Sequence, residues 1–286
     1  MIGDYAGHEE REKMATKKTT TAETSAAVTI EQITMKDLRV CIVGVTPLLV
    51  HAVSFKAASQ LLFPAPAKNK NEREASLKHE PFEEFRDACY KYRDQDNEPT
   101  RLYLPGSMFH SAMASAALDL AGAQKAQIGR LTNIPQAKLP LFGIPQILSM
   151  IVRSSDMART PDVRTLPILP QWALYLPIQF VDLIKEQSIF NLLGAAGDII
   201  GAGDGRPQKG KLSYGKFRVC SEDDPEFCLI VKQTTRARQD EALRNPKTYD
   251  AETDQLLTWF LREKTQRAAR PVAAPKKRGE QPAMQA

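Results

Sequence analysis

Residues Arg101–Gly122 read RLYLPGSMFHSAMASAALDLAG. A short strand-like piece runs into Pro105-Gly106. Ser107 follows, a residue type suited to capping a helix start. Met108, Ala112, Ala116 and Leu120 then recur every four residues, with Phe109, Met113 and Ala117 beside them, which is the pattern of one helical face. Gly122 supplies a stop. This spacing predicts a helix from about Met108 to Ala121, whose Ala and Ser run lets another backbone come close.

The neighbouring segments place that helix in an order of elements. Upstream, MKDLRVCIVGVTPLLVH (Met35–His51) alternates Leu38, Val40, Ile42 and Gly44 with Arg39, Cys41 and Val43. It reads as a strand buried on at least one face, ended by Thr46-Pro47, because proline cannot donate to a ladder. PAPAKNKNEREASLKHE (Pro64–Glu80) is polar and reads as part of an exposed insertion over residues 63–100, in which Phe82, Phe85, Cys89 and Tyr92 fall at helical spacing.

Downstream, GIPQILSMIVRSS (Gly143–Ser155) reads as a strand. DMARTPDVRTLPILP (Asp156–Pro170), with three prolines and Arg153 just before it, reads as an excursion out of the sheet over residues 153–170. QWALYLPIQFV (Gln171–Val181) returns as a strand, a helix follows over about Lys185 to Ala196, and SYGKFRVCSEDDPEFCLIVKQ (Ser213–Gln233) reads as a last strand or hairpin. Strand, helix, strand, strand, helix, strand is the split βαβ order, so the expected class is α+β, with a ferredoxin-like (RRM-like) βαββαβ core carrying insertions and flexible tails.

Bulk properties agree with one large domain or two small ones: 286 residues, 42% hydrophobic, with 19 prolines and 15 glycines. No apolar run approaches the roughly 18–20 residues of a membrane span. The N-terminal stretch lacks the apolar core of a secretory signal, so the expected location is the cytoplasm. Four widely spaced cysteines without a CxxC pair read as reduced thiols rather than a zinc site or disulfides. Neither a metal nor another cofactor is expected. Residues 1–34 read as a mobile arm and 35–232 as the folded domain. Residues 233–286 read as an amphipathic helix, with Leu256, Leu257, Phe260 and Leu261 on its apolar face and Trp259 beside it, ending in a basic disordered tail. From Leu261 onward seven basic residues face two acidic ones, a surplus equal to the +5 of the whole chain. Any polyanion site in the body must therefore be local.

The stretch GAGDGRPQKGKLSYGKF (Gly201–Phe217) is the local candidate. Gly205 to Lys211 fit the first seven positions of a phosphate-binding P-loop, but Leu212 stands where Ser or Thr is needed, a helix precedes the glycines and a strand follows them. Each context is the reverse of a nucleotide site. The aromatic signature of an RRM is not met either, since Tyr214 and Phe217 match it only loosely. What remains is a glycine-rich loop bearing Arg206, Lys209, Lys211, Lys216 and Arg218. It is either a phosphate-gripping device, with backbone N–H groups able to approach a ligand, or a solvated turn.

Three stretches together resemble the RAMP superfamily, in particular the backbone subunits of CRISPR effector complexes. These are the TPL element in VTPLLVH (Val45–His51), the PGS helix entry in YLPGSMFHSAMASAAL (Tyr103–Leu118), and the glycine loop running into SYGKFRV. The resemblance spans Lys36 to Lys232. Its variety is most similar to standalone RAMP-type proteins encoded by bacteriophages, which implies the cytoplasm of a bacterial host. It implies a protein that binds RNA or another single-stranded nucleic acid without catalysis and assembles as a homo-oligomeric filament or with CRISPR-like complex subunits. It also implies a thumb-like hairpin at 153–170 carrying Arg153, Arg159 and Arg164, and a helix face with Ser107 and His110 toward the RNA backbone. Their alternatives are ordinary loop arginines and a half-buried helix histidine. With Arg206, Lys209, Lys211 and Lys216, these form the expected nucleic-acid-binding set.

Target-cleaving relatives carry an acid after the TPL element. No Asp or Glu lies between Val45 and Leu62. His51 as a general base lacks a partner at any defensible sequence spacing. Two other readings stay open: a ribonuclease of the same fold, and a phage-encoded imitation of a CRISPR backbone subunit that acts through protein contacts.

Overall fold

In the computed structural model the first strand, β1 (Met35–Gly44), lies at the centre of a four-stranded sheet. The structure describes residues 32–63, 79–153, 157, 159–210 and 212–269. The expected N-terminal arm, apart from its last three residues, the basic tail beyond Ala269, Lys211, residues 64–78 of the insertion and residues 154–156 and 158 lie outside the described residues. The described residues from Thr34 on belong to one compact unit.

β1 pairs antiparallel with β8 (Ala173–Val181) over Met35↔Val181 to Val43↔Ala173, and on its other edge with β9 (Phe217–Cys220) over Cys41↔Cys220 to Gly44↔Phe217. β4 (Thr132–Asn133) joins the far side of β8. The spatial order β4-β8-β1-β9, with every pair antiparallel, is the ferredoxin-like arrangement, so the fold is α+β as expected. The core lies on one face, where Val40, Ile42, Leu174, Leu176, Ile178 and Phe180 of the sheet meet α3 (Gly106–Ala116) and α5 (Glu186–Ala195) through Phe109, Met113, Ile189 and Leu193. Alternation along a strand puts these residues on that side.

The second strand of the core is not the one expected. Thr132–Asn133, after α4 (Lys125–Leu131), fills that place with two residues. β6 (Gln146–Arg153) instead pairs with β7 (Pro161–Leu169) in a hairpin, register Gln146↔Ile168 to Arg153↔Pro161, and β7 pairs with β2 (Leu48–Leu49). The prolines suggested a departure from regular structure, but Pro161 opens β7, and Pro167 contributes its carbonyl to Val50 N–H at 3.0 Å. The described residues expected as an excursion thus include the whole of β7, the second arm of a hairpin in a sheet separate from the main one.

α3 is shorter than predicted and starts earlier. Its cap position is Pro105, and Ser107 lies inside the first turn without a capping hydrogen bond. Gly106 permits this start: a Cβ there would come within 2.3 Å of the Gln136 carbonyl oxygen. The strand before it, β3 (Tyr103–Pro105), pairs with β5 (Lys138–Pro140).

The segment after β9 is a helix rather than a hairpin. Asp224 accepts from the N–H groups of Glu226 (3.0 Å) and Phe227 (3.1 Å), Pro225 occupies the first turn, and α6 (Pro225–Gln233) results. Phe227 and Ile230 then cover the second face of the sheet over Cys41, Val43 and Ala173, which explains why β1 is apolar on both sides at its end. Two more helices follow, α7 (Arg236–Arg244) and α8 (Ala251–Ala269). Thr253 and Leu257 of α8 are buried, whereas Leu261, expected on the apolar face, is exposed along with Trp259. In α2 (Pro81–Asp87), Phe85 is buried in the main core, and Ala88 just after the helix packs with Leu148, Leu166 and Ile168 of the hairpin. The short α1 (Phe55–Leu62) ends in exposed Leu61, Leu62 and Phe63. None of the described helices is long and apolar enough to cross a membrane.

Candidate nucleic-acid interface

The TPL element and the glycine loop are fastened together. Thr46 Oγ1 donates to the Ser213 carbonyl (2.8 Å) and accepts from Lys216 N–H (2.9 Å). The Pro47 carbonyl accepts from Gly215 N–H, and the Leu49 carbonyl from Asp204 N–H, both at 2.8 Å. Two glycines make this closeness possible. Gly203 and Gly215 have φ of 76° and 69°, and a Cβ on Gly215 would sit 1.8 Å from the Ala202 carbonyl oxygen. The loop begins where α5 passes into a π-helical turn, Ala196–Ile200, packed on α3. It carries a short 3-10 turn at Pro207–Lys209.

That loop hangs beside α3 and leaves a groove of about 610 Å³. Ser107, Ser111 and Ser115, spaced i, i+4, i+8, line it from α3; Arg206, Gln208 and Lys209 line it from the loop, and Tyr90 belongs to the lining as well. Arg206 is half-fixed, donating to the Gly203 carbonyl (2.9 Å) and to Gln208 Oε1 (3.2 Å), while Lys209 is exposed. So Ser107, Arg206 and Lys209 of the expected set meet at one cavity. A second cavity of about 250 Å³ adjoins across Ser107, lined also by His110, Asn133, Ile134 and Ala137. His110 donates Nε2–H to the Thr132 carbonyl at 3.0 Å, tying α3 to β4.

The remaining expected residues are dispersed. Lys216 begins the approach to β9 and is outside the lining of the groove. Arg164 is exposed midway along β7. Arg153 and Arg159 are exposed at the far end of the hairpin, and Arg159 has a left-handed φ of 46°. At about 3.3 Å per residue, the nine-residue β7 carries them roughly 25 Å from the end that touches β2. Arg218, counted among the loop's charges, is neutralised by Asp224 (2.7 and 3.1 Å) and Glu226 (3.0 Å). These bonds raise its pKa and hold that of Asp224 down at about 2.

The partner that sequence spacing could not give His51 is Asp204, 153 residues away: Nδ1–H donates to Oδ2 at 3.1 Å. Asp204 is held below the usual carboxylate range by this hydrogen bond first; the Gly205 N–H and the charges of His51 and Arg164 add to it, while burial opposes it. Tyr90 Oη reaches the His51 carbonyl at 3.4 Å. A glycine-loop acid beside a TPL-element histidine leaves no periodic signal, because only the folded crossing of the two loops joins them. Among the described residues no cluster has the composition of a metal site. The four cysteines are free; burial raises the thiol pKa of Cys89 and of Cys220 to about 12.

No protein-family model matches the sequence, and none of the curated proteins is similar to it. Among solved structures, one similar chain belongs to the cryo-EM structure of the Type III-B Cmr-beta bound to cognate target RNA. It is 14% identical at a TM-score of 0.33, and the match covers 65% of this chain and 59% of that one. Another is the crystal structure of Cmr6 from Pyrococcus furiosus, 10% identical at a TM-score of 0.30, covering 65% of this chain and 99% of that one.

Proposed function

We propose that the chain binds RNA or another single-stranded nucleic acid along the groove between α3 and the glycine loop, as a non-catalytic subunit of a larger assembly. The observation that carries this reading is the meeting of Ser107, Ser111, Arg206 and Lys209 at one 610 Å³ groove with an aromatic residue, Tyr90, in its lining. Hydroxyls, cations and a ring are what a sugar-phosphate strand with unstacked bases requires. The three motifs behind the RAMP resemblance converge there too: PGS starts α3, and TPL anchors the loop. Arg164 and the hairpin tip would extend the basic track. Affinity comes mainly from phosphate neutralisation, with strong salt dependence.

Sizing chromatography of the purified protein, before and after RNase, tests this. An early peak rich in 260 nm absorbance that collapses with RNase supports it. A nucleic-acid-free peak that instead captures a protein assembly would favour the phage-encoded imitation of a CRISPR backbone subunit.

One contact favours a second reading, ribonuclease. Asp204 orients His51 so that, in the neutral ring, Nε2 is the acceptor a general base needs. Cleavage of a labelled RNA, lost in His51→Ala, would establish it; intact RNA after long incubation with the wild type would remove it.

A further inference from the structure

The cavity on the other side of Ser107 differs in chemistry from the groove. It is lined by Ser107, His110, Asn133, Ile134 and Ala137 and holds no Lys or Arg. A phosphate finds no Lys or Arg charge to pair with there. Its walls are preformed: Gly106 N–H donates to the Ala137 carbonyl at 2.9 Å, and the chain at 134–136 packs so tightly on Gly106 that no Cβ would fit. The histidine is committed as well. A carbonyl can only accept, so Nε2 of His110 must carry the proton shared with Thr132, and in the neutral ring Nδ1 is left as an acceptor. Asn133 adds an amide that both donates and accepts; its Nδ2 reaches Gln179 Oε1 only at 3.4 Å, a weak hold.

We propose that this cavity takes one unstacked nucleobase of a strand lying in the adjoining groove, with preference for a base that presents an exocyclic amino group. The proposal rests on the single-strand reading above and deepens it. Ser107 lies between the two cavities and belongs to the lining of both, so a strand in the groove passes the mouth of the pocket. About 250 Å³ accommodates a base, since a purine is no larger than an indole ring system. The apolar sides of Ile134 and Ala137 suit the faces of the ring. Nδ1 of His110 suits an amino hydrogen of adenine or cytosine, where uracil offers a carbonyl.

The test is fluorescence anisotropy with labelled oligoadenylate, oligouridylate and an abasic ribose-phosphate strand of equal length. The expected order is adenylate tightest and abasic weakest, the loss being about tenfold, on the scale of one base contact. Ile134→Trp, which fills the pocket, should bring adenylate down to the abasic level and leave the abasic strand unaffected. Asn133→Ala, an exposed position whose change spares the fold, should narrow the adenylate–uridylate difference. Equal binding of base-bearing and abasic strands, or adenylate binding indifferent to both substitutions, overturns the pocket while leaving the groove. Failure of all three strands to bind overturns the single-strand reading itself, and the pocket with it.

Discussion

Gly215 and Gly194 show how differently two glycines in one chain are constrained. Gly215 has φ 69°, and its missing Cβ is the space in which the Ala202 carbonyl sits. Gly215→Ala should cost about 1–3 kcal/mol from backbone strain alone, read as a lowered melting temperature with weakened strand binding, because the loop is pried off Pro47. Gly194, inside α5 with nothing near its Cβ position, should behave oppositely: Gly194→Ala should stabilise by about 0.5–1 kcal/mol. Asp204 gives a pH prediction. Its folded pKa lies below the unfolded 3.8, so its contribution to stability is complete above pH 3.8 and is lost as pH falls through the folded value. Thermal melts of wild type and Asp204→Asn should therefore differ above about pH 4 and converge in stronger acid. A difference that persists unchanged at low pH would mean that the carboxylate is not the stabilising form.

At the scale of elements, periodicity was readable wherever an element buries one face. β1 and β8 alternate, α3 and α5 repeat at helical spacing, and from these the order of the core followed. Two elements were hidden for stated reasons. The second core strand has only two residues, too few for any pattern. The β7 prolines imitate a loop while serving a hairpin arm. α6 was missed: Asp224-Pro225-Glu226 forms a helix start, but Phe227 to Val231 is apolar enough to read as a strand. Its burial makes it testable. Phe227, packed edge-on to Tyr175 at 4.9 Å, should cost about 3–5 kcal/mol as Phe227→Ala. A surface hairpin there would tolerate the change with little shift in urea midpoint.

For the whole molecule, the candidate site is a meeting of three distant segments: residues 45–51, 103–115 and 201–216. Each carried a visible motif in the sequence, so Ser107, Arg206 and Lys209 were nameable, whereas Ser111, Ser115, Gln208 and Tyr90 of the same lining were not. Their shared cavity, the His51–Asp204 pair and the base-sized pocket were not, because these depend on how loops cross rather than on any spacing along one element. The same geometry separates the basic residues. Lys209 lines the groove and the charge of Arg164 reaches Asp204 of the glycine loop, whereas Arg153 and Arg159 sit at the end of a long hairpin arm and Arg218 is paired with Asp224 and Glu226. Lys209→Glu should thus weaken binding to every strand sequence alike.

The most direct measurement is the salt dependence of strand affinity for wild type and the Lys209→Glu, Arg164→Glu double variant. Both side chains are exposed, so the fold is spared. Each lost phosphate contact lowers the slope of log affinity against log salt by about 0.7 for a single strand. A wild-type slope of several units, reduced by more than one in the double variant, is the predicted result. Identical slopes and affinities for the two proteins would contradict the groove as the place where the strand is held.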